Sequence, residues 1–461
     1  MSSRNYSRRD VLKAGVAALA FPTIVPRTVL GLGGQPGANE QVKVAIIGLG
    51  GRAGGVVADC RGLNGMRIVA VADCFAPRIG DFLKRHGTDQ GWKGYEEFRR
   101  MIETEKPDAV MVETTTHARA WITILAMQMG CDVYIEKPMS LTIAEGRQMV
   151  AAARKYGRVT QVGTQQRSTP LNNWASDLVK NGALGKVHTV LAPNFVGPCR
   201  WSDETGQPMP AGGSETWWDT WTGQSVLREY HPRLHLGWSK WRDYDGGGEC
   251  FGVTGWGAHS YDQINRALGT DGTGPVEVIL EEAVTVSNTG KFTKPRGNED
   301  TGVDYHSMAQ PVMGPRAKVT MKFAAGTELK LHLDGDVGPG LGAIFIGERG
   351  KIEINRNKIS ADPVELVKGA EDPGPNLERG TPLHVENWIE CIKSRKLCRA
   401  DIEIGQRATT LCYLVNIARE VGKVGEALRW DPAAERFTNC VEGNNLLDRE
   451  RRKGWEISPL V

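Results

Sequence analysis

From residue 42 the chain alternates short apolar runs with longer amphipathic stretches. "VKVAII" (42–47), "RIVAVAD" (67–73), "DAVMVET" (108–114), "VYIEK" (133–137) and "RVTQVG" (158–163) are β-branched runs of strand length. Helix-period segments lie between them. Strand and helix in strict alternation predict a parallel sheet covered on both faces. Beyond about residue 170 the texture changes. Trp, Gly and Pro crowd residues 193–257, and then come polar/apolar alternations at 275–286, 317–333 and 342–355. These predict a mostly antiparallel sheet with one face covered. A helical return follows, Val385–Lys393 and then Ile404–Gly422. The fold class is therefore α/β: a parallel sheet over 42–165 and a second α/β domain over 166–461. No internal repeat or low-complexity tract is visible.

Residues 1–41 break this pattern. Arg8 and Arg9 precede a twelve-residue apolar run, "AGVAALAFPTIV", and Pro26 and Arg27 end it. The run is too short to span a bilayer as a helix. It reads as a twin-arginine signal followed by a Gly-rich linker at 28–41. The protein would be exported folded, to the periplasm or to an anchored position at the periplasmic membrane face. An amphipathic N-terminal helix is the other reading. Residues 1–27 carry five basic groups and one acid, while the whole chain is +3. The body is thus close to neutral and offers no electrostatic case for nucleic acid. Nine cysteines are scattered without a C-x-x-C pair or a Cys/His spacing suited to zinc, so no metal is expected. Cys391 and Cys398 are placed so that they could pair, which the sequence leaves open.

Chemistry is concentrated in a few motifs. "GLGGRA" fits G-x-G-x-x-A between a strand and a helix. Gly48 permits the tight turn, and Gly50 lets backbone approach a pyrophosphate. Gly51 and Arg52 open the helix, and Ala53 keeps it close to the sheet. The helix N-terminus presents free N–H groups to phosphates. Asp73 closes the second strand, where a carboxylate binds both ribose hydroxyls and repels a 2′-phosphate, favouring NAD over NADP. Val133–Ile135 delivers Glu136 and Lys137 into a turn stopped by Pro138. Alone, that lysine reads as a solvated surface residue or as an ammonium fixed over a ligand.

Taken together, "GLGGRA", Asp73, "TTTHAR", "IEKP", "GTQQRS" and "GWGAHSYD" resemble the Gfo/Idh/MocA oxidoreductases from about residue 42 to the end. The resemblance implies a Rossmann domain followed by an α/β domain with a large open sheet. It implies homodimers or homotetramers formed through that sheet. It makes Lys137 the catalytic lysine and sets Glu136 by the nicotinamide ribose, with Thr114 and His117 along the cofactor. It makes His259 the acid–base histidine, with Asp262 three residues on to orient it or to bind a hydroxyl. Inositol dehydrogenase-like members carry D-x-G-x-H, whereas here Gly255 takes the aspartate position. One carboxylate of the usual site is missing. Among the residues of the Trp-rich stretch and its neighbours, Arg167, Tyr230, Trp241 and Arg242 are the candidate substrate contacts.

The expected activity is hydride transfer between a nicotinamide and a hydroxyl or carbonyl carbon of a sugar, polyol or glycoside. Export favours a tightly held cofactor recycled in place. A redox-neutral glycosidase or epimerase-like cycle and a non-catalytic NAD- or sugar-binding protein remain alternatives.

Overall fold

The computed structural model describes residues 40–202, 204–249, 251–289, 312–334, 340–356, 358–368 and 380–457. The signal-like segment 1–27 and the linker as far as residue 39 lie outside the described residues. Among the described residues no helix is long and apolar enough to cross a membrane.

The first sheet contains β1 (Val42–Ile47), β2 (Met66–Ala72), β3 (Lys93–Tyr95), β4 (Ala109–Val112), β5 (Asp132–Ile135) and β6 (Thr160–Val162). Its order is β3-β2-β1-β4-β5-β6 with every pair parallel. The crossovers are α1 (Gly51–Asp59), α2 (Ala76–His86), α3 (Phe98–Glu105), α4 (Thr116–Gln128) and α5 (Ile143–Lys155). All four residues of β4 and of β5 are buried, which is why these strands read as continuous apolar runs. Strand order reverses between β1 and β4, so a crevice opens beyond their carboxyl ends, where Gly48 and Glu113 stand.

The second sheet is mixed: β7 (Val187–Pro193), β8 (Pro275–Leu280), β11 (Val319–Phe323), β12 (Glu328–Leu333), β13 (Ala343–Gly347), β14 (Gly350–Asn355), β15 (Lys358–Asp362), β16 (Ala427–Asp431) and β17 (Arg436–Phe437). The pair β7/β12 is parallel and the others are antiparallel, in the order β15-β14-β13-β7-β12-β11-β8-β16-β17. The expected run 275–286 divides: β9 (Thr285–Thr289) leaves the sheet and pairs with β10 (Val312–Arg316) as a ribbon. Leu329 and Leu331 of β12 point into the core, while Glu328 and Lys330 alternate to the other face. The remaining helices are α6 (Pro170–Lys180), α7 (Glu215–Thr222), α8 (Pro232–Leu236), α9 (Trp256–Leu268), α10 (Gly380–Ser394), α11 (Ile402–Val421) and α12 (Val441–Asn444). Apolar residues of α6, α9 and α11 share one core with the sheet's inner face.

The helical return serves both domains. Whereas α11 packs on the second sheet, α10 lays Val385, Trp388, Ile389 and Ile392 into the same core as β1 and α1. His384 on α10 donates from Nε2 to the Val162 carbonyl at 2.8 Å, and its Nδ1 accepts from Ser168 Oγ at 2.7 Å. Cys391 and Cys398 are both buried free thiols.

Two buried histidines make the fold acid-labile. Burial lowers His117 to about 3 and His384 to about 4, from an ordinary 6.5. Folded protein therefore keeps both neutral while unfolded chain protonates them. The stability these two histidines contribute should be complete above pH 6.5 and fall as pH drops through the unfolded value towards 4. The loss is about 1.4 kcal/mol per pH unit for each histidine. Thermal melts should show the melting temperature dropping between pH 6.5 and 4, and His384→Gln should make that slope shallower. An unchanged slope would exclude His384 as a contributor.

Candidate active site

The cofactor groove begins where β1 ends. Gly48 has φ +88°, and a Cβ there would lie 2.8 Å from the Thr114 backbone, so the turn demands glycine. Its N–H donates to the Ala72 carbonyl at 2.8 Å, which fastens the turn to β2. Gly50 is the N-cap of α1 and supplies no side-chain cap, so the first-turn N–H groups have no side-chain acceptor. Cβ atoms built on Gly50 and Gly51 would meet nothing within 4 Å, which leaves a cradle in front of the helix. Ala53 is fully buried against the sheet. Asp73 accepts from Leu49 N–H and Phe75 N–H, both at 2.9 Å, and Arg78 lies 3.5 Å away. Gly48, Gly50, Gly51, Asp73 and Arg78 line a cavity of about 850 Å³. Buried polar atoms without partners among the described residues stand around it: both Glu113 carboxyl oxygens, Thr114 Oγ1 and Arg52 Nη2. A cradle at a helix N-terminus, a carboxylate after β2 and unpaired polar groups between them fit a dinucleotide.

This groove is roofed by parts of the chain that follow the Rossmann domain. Trp217 of α7 packs on Phe75 with ring centroids 4.6 Å apart, and Arg78 Nη2 lies 3.1 Å from His235 Nε2 on α8. Trp455 of the C-terminal tail packs on Trp121 of α4 at 4.6 Å. The tail is stapled down: Arg452 pairs with Asp219 at 2.5 Å, and Arg449 pairs with the fully buried Glu145 at 2.7 Å. Arg449 also donates to the His117 carbonyl at 2.9 Å.

Lys137 leaves the end of β5 beside this groove. Glu136 is buried and accepts from Arg52 Nε at 2.6 Å, Gln165 Nε2 at 3.0 Å and the Lys137 N–H at 2.8 Å. Burial opposes its charge, but Arg52, Lys137 and Arg119 outweigh it and hold the carboxyl below its ordinary value. Arg119 of α4 fixes the turn from behind, donating to the Pro138 carbonyl at 2.6 Å and to the Thr114 carbonyl at 2.7 Å. The Lys137 ammonium donates to the carbonyl of Gly255 at 3.0 Å. Burial lowers its pKa against the pull of Glu136 and Asp245. Asp245 is fully buried and accepts from Thr116 Oγ1 at 2.5 Å and from Thr254 Oγ1.

Gly255 caps α9, whose first turn carries His259. His259 is buried, and its Nδ1 has no hydrogen-bond partner among the described residues. Burial, then the charges of Arg356, Lys137 and Arg52, push its pKa well below the ordinary value, so the imidazole is neutral. Lys137 and a neutral histidine are thus brought to one place.

Six other expected site residues are engaged elsewhere in the fold. Asp262 does not orient His259. It turns to Arg167, which donates from Nε at 2.8 Å to each carboxylate oxygen and from Nη2 to the Asp262 carbonyl at 3.0 Å. Arg167 also holds Asp271, and its side chain is 2% exposed. His117 does not run along the cofactor. It is fully buried, with Nε2–H donating to the Trp221 carbonyl at 2.8 Å and the ring edge-on to Tyr244 at 4.8 Å. Tyr230 and Trp241 belong to the aromatic core of the Trp-rich insertion between β7 and α9, where Trp241 donates to the Arg233 carbonyl at 2.8 Å. Arg242 pairs with Glu420 at 3.0 Å and lines a different cavity.

Sequence reasoning passed over Asp245, Arg119 and Glu113. Asp245 stands directly before the triple glycine of "YDGGGE", and an acid fixed beside a tight turn was the available signal. Glu113 closes an otherwise apolar strand, as Asp73 does.

Residues 42–164 match the oxidoreductase family's NAD-binding Rossmann fold (GFO_IDH_MocA). Residues 298–457 match that family's C-terminal alpha/beta domain. Together these stretches make up more than half of the chain. The D-glucoside 3-dehydrogenase of Escherichia coli is 30% identical over 179 residues, 38% of this chain and 50% of that protein. The myo-inositol 2-dehydrogenase of Thermotoga maritima is 25% identical over 32% of this chain and 44% of its own. This chain therefore spans about half the length, or less, of these relatives. The aldose-aldose oxidoreductase of Caulobacter crescentus superposes with a TM-score of 0.55 at 18% identity, covering 84% of this chain and 99% of that one. The WlbA dehydrogenase of Bordetella pertussis, solved with NADH and UDP-GlcNAcA, gives 0.57 at 16% identity over 86% and 99%. At such identities the structures show the shared fold alone. With both of its domains matched in order, the chain belongs to the Gfo/Idh/MocA oxidoreductase family.

Proposed function

We propose that the protein is an NAD-dependent oxidoreductase that interconverts a ring hydroxyl and a ketone on a sugar, polyol or glycoside. The observation that carries this reading is the Lys137–Gly255 contact. It fixes a desolvated ammonium beside the cap of the helix that bears a neutral His259. His259 accepts the hydroxyl proton, and Lys137 hydrogen-bonds the same oxygen as negative charge develops on it. A nicotinamide held in the groove supplies the hydride acceptor or donor. Gly48–Ala53 would hold the pyrophosphate, Asp73 the adenosine ribose and Glu136 the nicotinamide ribose. Asp73 supports NAD as the preferred form. Relatives named for a glucoside, an inositol and an aldose support the substrate class.

Gly255 in the aspartate position speaks for a non-catalytic protein, but the buried Asp245 beside Lys137 supports a working site.

The roof over the groove supports a cofactor that stays bound through turnover, as an exported enzyme bearing a twin-arginine signal requires. Protein purified without added nucleotide and then denatured should release about one NAD or NADH per chain. An empty protein that binds NAD weakly overturns this part of the reading. Incubating the holoprotein with sugars then identifies the cycle. Paired oxidised and reduced sugars mean transfer between substrates, and a cleaved glycoside at unchanged oxidation level means a redox-neutral cycle.

A further inference from the structure

Glu113 follows β4 at the point where strand order reverses. Its N–H donates to the Ile47 carbonyl at 2.8 Å, which sets it directly beside the Gly48–Arg52 turn. The side chain lines the cofactor cavity, is 6% exposed, and has no hydrogen-bond partner among the described residues for either carboxyl oxygen. Such a group is costly to bury unless a ligand satisfies it. The groups that face it are Arg52 of α1 and Cys60 just after it, Arg119 of α4, and Tyr134 and Glu136 of and just after β5. Arg119 is engaged with the Thr114 and Pro138 carbonyls, and Arg52 bonds Glu136 through Nε, with its Nη2 unpaired among the described residues. Burial, then the Glu136 charge, raise Glu113 to about 8 against the pull of the two arginines. A dinucleotide brings phosphate anions to the same turn. An ionised Glu113 would repel them, whereas a neutral carboxyl offers them a donor.

We propose that Glu113 is a cofactor-binding residue that works as a neutral acid: filling the groove with a dinucleotide draws a proton onto its carboxyl, which donates a hydrogen bond to the ligand. This rests on the groove being a dinucleotide site.

Titration calorimetry of the full chain, freed of nucleotide, with NAD in buffers of different ionisation heat counts the protons taken up. At pH 9 uptake should approach one proton per NAD bound, and at pH 6.5 it should be near zero. Above pH 8 affinity should weaken by up to about tenfold per pH unit. Glu113→Gln should bind NAD with no uptake and a flat pH dependence over this range. In the wild-type holoprotein at pH 9, the infrared spectrum should show a protonated-carboxyl band that Glu113→Gln lacks. Wild-type binding without proton uptake overturns the proposal, as does equal uptake by Glu113→Gln. A groove that takes no dinucleotide at any pH overturns the underlying reading, and the proposal with it.

Discussion

Lys137→Met should lower the rate of hydride transfer by about 10²–10⁴-fold while the nucleotide stays bound. The two effects separate because the residues at issue do different work. Glu136, Arg52 and the Gly48–Arg52 turn keep every contact they make without the Lys137 side chain, since Glu136 accepts from the Lys137 backbone N–H rather than from its ammonium. Methionine keeps the stem and its packing and removes only the charge that Gly255 now anchors. The check is single-turnover reduction of bound NAD together with nucleotide content after denaturation. A rate within a few-fold of wild type, with the cofactor retained, would remove Lys137 from the reacting atoms. The pH profile adds a second signature. Because burial lowers the Lys137 pKa, the wild-type rate should change on the alkaline side below the ordinary 10.5, and Lys137→Met should lose that limb.

The contrast between what the sequence conveyed and what it concealed follows from distance along the chain. The parallel sheet was legible because each buried strand is a short apolar run whose neighbours are fixed by right-handed crossovers. The Gly-rich turn and Asp73 were legible because strand, turn, helix and strand lie within about thirty residues. In the parallel sheet only β3 escaped, since Lys93–Tyr95 has no apolar run to mark it. Side-chain pairings across the domains were a different matter. Asp262 lies on the same helix as His259, and the helical period made them look like partners. Yet Arg167, 95 residues earlier, claims the carboxylate. His117 sits inside the cofactor motif, but Trp221 and Tyr244 of the insertion capture its ring. Arg242 lay in a stretch rich in sugar-binding residue types, and the fold turns it to Glu420. In each case the deciding partner is more than ninety residues away, where periodicity carries no information.

Gly255→Asp should destabilise the protein rather than restore a missing carboxylate. A Cβ at Gly255 would lie 2.0 Å from the Glu249 carbonyl oxygen and 2.7 Å from that of Gly248. Both are backbone atoms, so no rotamer change relieves the clash. The turn must move, although Thr254 N–H and Gly255 N–H both donate to the Gly247 carbonyl, at 3.0 and 3.1 Å, and hold it in place. Forcing this turn open should cost about 3 kcal/mol or more. It would also displace the carbonyl that anchors Lys137 and the helix start that presents His259, so activity should fall with stability. Gly255→Ala separates the steric argument from the chemical one, since it adds the clashing atom without a charge. Thermal melts and turnover of both variants decide the matter. If both melt early and lose activity, glycine is there because the backbone crosses too closely for any side chain. Asp245, held by Thr116 and Thr254, is then the carboxylate this site uses. If Gly255→Asp melts like wild type and turns over faster, the site had lost a working acid, and Asp245 does not replace it.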